Sequence, residues 1–104
     1  MDEHVWDTVD RLVGWLDDSS TLPPETDRLL RVMKLSEEVG ETTQAVMGVL
    51  GANPRKGVTH AWPDVEAELC DVILTAMVAL ATVTADARQV FAEHVDRVAK
   101  RSLG

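Results

Sequence analysis

The sequence predicts an all-α fold, and three observations carry that reading. Apolar residues recur at three- and four-residue spacing through four segments, the periodicity of helices that bury one face. All four prolines fall between those segments or at the start of one, where the ring's fixed φ and missing N–H are tolerated. A composition of 45% hydrophobic and 27% charged residues suits a globular helical chain and argues against disorder. At 104 residues the chain reads as a single domain, 1–104. A domain this short buries a limited share of its surface, and oligomerisation is a common remedy.

The first helix is expected from Glu3 to Leu16, with Val5, Val9, Leu12, Val13 and Leu16 on one side and Trp6 and Trp15 at its flanks. The polar run Asp17–Thr21 and the Pro23-Pro24 pair then form a connector, because Pro24 disfavours a helical Pro23. A second helix should start near Glu25 and reach about Leu50, roughly 39 Å at the helical rise. Its stripe of Leu29, Val32, Ser36, Val39, Thr43, Val46 and Leu50 is the expected core side. Gly40 offers room for a close neighbour, and Gly51 suits the residue just past the helix end. The stretch Gly51–Ala61 is the clearest loop and holds Arg55, Lys56 and His60. Pro63 opens a third helix that is apolar nearly all round from Leu69 to Val83, the expected central element. Thr84 is placed to cap a fourth helix running to about Arg101.

Charge and cysteine content narrow the function classes. With 18 acidic against 10 basic residues the formal charge is −8, so no broad basic surface awaits a nucleic-acid polymer. The single cysteine, Cys70, excludes an intrachain disulfide and reads as a small buried hydrophobe. The chain opens on acidic residues, and the apolar stretch Leu69–Ala85 is too short and too polar for a membrane span. A cytoplasmic protein with no membrane partner is the expectation.

The chemistry concentrates in carboxylates. Glu37, Glu38 and Glu41 fall within five residues of the second helix, and at about 100° per residue they share an arc of roughly 100°. Like charges so arranged destabilise a bare helix. Glu68 and Asp71, spaced i, i+3 on the third helix, form a second acidic face. Side-by-side packing of the two helices would set Glu38 and Glu41 against Glu68 and Asp71, giving four oxygen ligands. Such a hard donor set favours magnesium or manganese over zinc. A di-iron bundle is the alternative, although that architecture uses Glu-x-x-His pairs. Asp64 and Glu66 read as acids favoured near a helix start.

The pattern Glu37-Glu38-x-x-Glu41, followed after residues 42–67 by Glu68-x-x-Asp71, resembles the EExxE and ExxD signature of MazG-type nucleoside triphosphate pyrophosphohydrolases. The resemblance spans about Leu29–Leu80. It implies a four-helix MazG-like bundle completed by dimerisation, and magnesium-dependent cleavage between the α and β phosphates of a nucleoside triphosphate, yielding a monophosphate and pyrophosphate. It implies Glu38, Glu41, Glu68 and Asp71 as metal ligands and Glu37 as the residue that orients or deprotonates water. Lys34 would contact a phosphate oxygen or neutralise the cluster. Family members often carry Lys, Asn and Arg on the last helix for phosphate, whereas this chain offers Arg97, Lys100 and Arg101 with Asp96. Arg55 and Lys56 in the loop are further phosphate candidates, and a mobile loop could act as a lid.

Two aromatic readings stand beside these: Trp6 and Trp15 as core or interface residues, and Trp62, next to the loop, as core or a nucleobase platform. The surplus of apolar residues in the second and third helices points to a homodimer or higher homo-oligomer. An alternative function is a non-catalytic helical module that binds a nucleotide or a protein.

Overall fold

The computed structural model describes residues 2–104, and among them it holds four α-helices and no strand. Helix α1 spans Glu3–Ser19, α2 Pro24–Leu50, α3 Trp62–Val83 and α4 Ala87–Leu103. Asp2 caps α1 by accepting the Val5 N–H at 3.0 Å. The helix continues past Leu16 to Ser19 and ends where the Ser20 N–H donates to the Asp17 carbonyl. Pro23 is extended, as a residue before proline must be, so α2 begins at Pro24. Gly51 ends α2 in the left-handed conformation, φ 63°, which glycine adopts without steric cost. At the start of α3 the Asp64 carboxylate accepts the Ala61 N–H at 2.8 Å. Thr84 differs from its expected role: it ends α3, and its hydroxyl accepts the Asp86 N–H at 3.2 Å, making a turn before α4.

Helix α3 is the hub, packing on α2, α1 and α4. At one end lies a cluster of Trp6, Val9, Met77 and Ala87, flanked by Val13, Leu80 and Phe91. Trp6 and Phe91 meet edge to face, 6.2 Å between centroids. At the other end Ala45, Gly48 and Val65 are buried.

The face of α2 that packs is not the face its apolar pattern suggests. Arg31, Leu35, Glu38, Thr42, Ala45 and Val49 form its covered side, while Leu29, Val32, Val39 and Leu50 stand 45–70% exposed. Small and polar side chains let the inner side follow α3, and the apolar row is left open. Leu69, Ile73 and Leu74 of α3 are also exposed, as are Trp15 and Trp62, and Cys70 is exposed rather than buried. Gly40 has no neighbour within 4 Å of the position a Cβ would take; the close approach falls at Gly48 instead.

Two arginines tie the helices. Arg31 donates to the Thr82 hydroxyl of α3 at 3.2 Å and pairs with Asp17 of α1 at 2.9 Å, with its side chain only 11% exposed. Arg88 of α4 reaches across to Glu3, Asp7 and Asp10 of α1. The hydrogen bonds it donates to Asp7 and Asp10 hold its pKa above the ordinary arginine value. Because Arg31 is largely covered and joins three helices, Arg31→Ala should lower stability by about 1–2 kcal/mol. Exposed Arg11→Ala should stay within about 0.5 kcal/mol. Urea midpoints of the two variants provide the comparison, and equal midpoints would deny Arg31 its tying role.

Candidate metal centre

The hairpin of α2 and α3 sets carboxylates against one another. Arg31 meets Thr82 near one end and Gly48 meets Thr59 and His60 at the other, so the residues between are paired in antiparallel order. Glu38 and Glu41 thereby arrive opposite Glu68. Each of the three offers a carboxylate oxygen, and these oxygens all lie within 4.8 Å of one another. Glu38 and Glu68 are half-buried and Glu41 is exposed. Glu68 Oε2 is buried without a hydrogen-bond partner, which costs free energy unless something else satisfies it.

The electrostatics agree with the geometry. Desolvation is the main cause that raises the Glu38 carboxyl above its ordinary value, and Glu41 and Asp71 add repulsion while Lys34 opposes them. Glu68 is raised by the same three causes, with His60 opposing. Asp71 is exposed one turn beyond Glu68 and lies outside the trio, yet its charge is felt by both buried-side acids. A half-buried set of like charges with an orphaned oxygen fits a divalent cation. Oxygens on opposite sides of one magnesium ion stand about 4.2 Å apart, so oxygens within 4.8 Å of one another would need only a small inward shift to share one ion. The all-carboxylate donors suit a hard cation.

Glu37 is not one of the trio; its side chain is 64% exposed, and its carboxylate accepts from the Lys34 ammonium at 3.3 Å. Lys56 lines a cavity formed by the α2–α3 loop, whereas Arg55 is exposed on the same loop. Arg97 sits beside His94, 3.4 Å away, and Lys100 is in the exposed last turn of α4. None of these four basic residues is among the principal charges acting on Glu38 or Glu68.

The chain matches no known family model, curated protein or solved structure. The site is therefore read from its own residues.

In the wall of that loop cavity, sequence reasoning passes over Asn53 and Thr59 and gives His60 only as a loop residue. A glycine late in α2, followed by a loop rich in side-chain donors, was the available signal. A Cβ at Gly48 would stand 2.0 Å from His60 Nδ1, so the missing side chain is what lets the loop close on the helix.

A raised carboxyl binds its proton more tightly in the folded chain than in the unfolded one. The contribution of Glu38 and Glu68 therefore favours folding at low pH and is lost as pH climbs above the ordinary value of 4.5 through the raised folded values. Glu68→Gln should accordingly raise the melting temperature in chelator at pH 7, with the gain shrinking toward pH 4. A gain independent of pH, or a loss at pH 7, would contradict the assignment.

Proposed function

We propose that the protein is a magnesium-dependent nucleoside triphosphate pyrophosphohydrolase of the kind the MazG resemblance implies. The observation that carries this reading is the convergence of Glu38, Glu41 and Glu68 around an unsatisfied, buried oxygen of Glu68, from the two motifs on which the resemblance rests. Glu38, Glu41 and Glu68 would hold the ion, with Asp71, one turn beyond Glu68 and outside the trio, as the candidate fourth ligand. Magnesium, or manganese in its place, supplies neutralisation of the acids and polarisation of a phosphoryl oxygen.

The resemblance makes Glu37 the residue that orients a water molecule and takes its proton, a role that requires its side chain to turn from Lys34 toward the trio. The water oxygen joins one phosphorus of the α–β bridge, the bridging oxygen leaves with the other, and a nucleoside monophosphate and pyrophosphate result. Lys34 partners Glu37 and is the candidate for steadying a phosphate oxygen. Arg55, Lys56, Arg97 and Lys100 are the further phosphate candidates, of which Lys56 lines the cavity formed by the α2–α3 loop.

The open apolar faces call for a second copy of the chain. The surface measures 7640 Å², against roughly 5,800 Å² for a compact monomer of 11.4 kDa. The radius of gyration is 16.7 Å and the molecule is a slab of 46 × 46 × 22 Å, where a compact chain of this length has a radius near 13 Å. The excess is of the size an obligate homodimer buries. Among the described residues no single helix is long and apolar enough to cross a membrane, and we place the activity in the cytoplasm with small nucleotides as substrates.

Incubation with a panel of nucleoside triphosphates and magnesium should release pyrophosphate; orthophosphate alone, or binding without turnover, would overturn the reaction. Glu37→Gln should lower kcat by about 10²- to 10⁴-fold while manganese binding persists; loss of metal binding would make Glu37 a ligand instead. Sedimentation equilibrium should give at least a dimer at micromolar concentration, and a stable monomer would overturn the proposed dimer.

A further inference from the structure

We propose that the cavity between α2 and the α2–α3 loop receives the nucleobase end of the substrate, an assignment that rests on the nucleotide reading above. The cavity measures about 260 Å³, below the range that takes a whole drug-sized ligand and fitted to one heterocyclic portion of a nucleotide. Gln44, Met47, Asn53, Lys56 and His60 are among its walls.

Its chemistry separates it from a phosphate site. Lys56 is the one permanent cation in the wall, and the remaining polar groups are the neutral amides of Gln44 and Asn53, the Thr59 hydroxyl and the His60 ring. A triphosphate needs several positive charges, whereas a base edge needs donors and acceptors side by side, as an amide supplies them. The Asn53 side-chain Oδ1 already accepts the Arg55 backbone N–H at 3.0 Å, so its side-chain amide nitrogen remains to donate. Met47 gives a polarizable apolar surface for a ring face.

The cavity is built rather than incidental. The Thr59 N–H donates to the Gly48 carbonyl at 3.0 Å, and the Lys56 and Gly57 N–H groups both donate to the Asn53 carbonyl. Gly57 takes φ 66° to complete that turn. Thr59 Oγ1 and His60 Nδ1 are hydrogen-bonded at 2.8 Å, and both lie where a side chain at position 48 would have to go, 2.5 and 2.0 Å from its Cβ.

Its placement suits the reaction. Gln44 follows Glu41 by one helical turn, and His60 is close enough for its charge to act on Glu68. A base held here leaves the phosphates to run along the α2–α3 seam toward the acids.

The test uses the full chain in metal-free buffer, titrated separately with millimolar adenosine, guanosine, cytidine and uridine while the Met47 methyl and His60 ring signals are followed by NMR. At least one nucleoside should shift both signals saturably. Gln44→Leu should weaken that binding about tenfold, and Gly48→Ala, which displaces His60, should abolish it. Shifts without hydrolysis of any triphosphate would retain the pocket and remove the reaction. Hydrolysis with no nucleoside shift at Met47 or His60 would remove the pocket and retain the reaction. Neither shifts nor hydrolysis would remove both, and shifts unchanged in the two variants would remove the assigned walls.

Discussion

Everything distinctive about this molecule depends on the seam between α2 and α3, where like charges are forced together. Three carboxylates within 4.8 Å, two of them half-buried, are an unfavourable arrangement for a bare protein. The hairpin cannot relieve it by splaying at either end. Arg31 joins Thr82 and Asp17 near one end, and the loop rests in the space left by Gly48 at the other. Repulsion held in place in this way is what the proposed cation would relieve.

The same seam explains the openness of the rest. Helix α2 spends its inner side on Arg31, Glu38 and Thr42 along with the small residues Ala45 and Gly48, so its apolar row faces outward. Helix α3 likewise leaves Leu69 and Ile73 uncovered. The buried cluster around Trp6, Val9 and Met77 holds α1 and α4 to one end of α3 and leaves the seam to the other. The single chain is thus a flat two-ended frame rather than a closed bundle. The mixed inner face and the apolar outer one both accompany the seating of acids between the helices.

Four helices and their order were legible in the sequence because apolar spacing, prolines and Gly51 mark them redundantly. The pairing of Glu38 and Glu41 with Glu68 was legible too, since i, i+3 spacing fixes a helix face and two such faces repel unless they share something. The buried side of α2 was not legible. Apolar periodicity reports which side avoids water, and it does not say whether a neighbouring helix or a second chain provides the cover; Leu29, Val32 and Val39 satisfy the pattern while lying open. Cys70 was misplaced for the same reason, being on a helix that is apolar all round but covered on only part of its circumference. The loop cavity depends on contacts between Gly48 and His60, twelve residues apart, for which no periodic signal exists. The tie made by Arg31 depends in the same way on Thr82, which only the folded hairpin brings near.

The central claim is that the α2–α3 acids form a divalent-cation site, and direct titration with manganese, followed by the electron paramagnetic resonance signal of the free ion, tests it most closely. The account predicts saturable uptake of one or two ions per chain, competed by magnesium and lost when Glu41 or Glu68 is replaced by alanine. Uptake that never saturates, or that is unchanged in both variants, would contradict it.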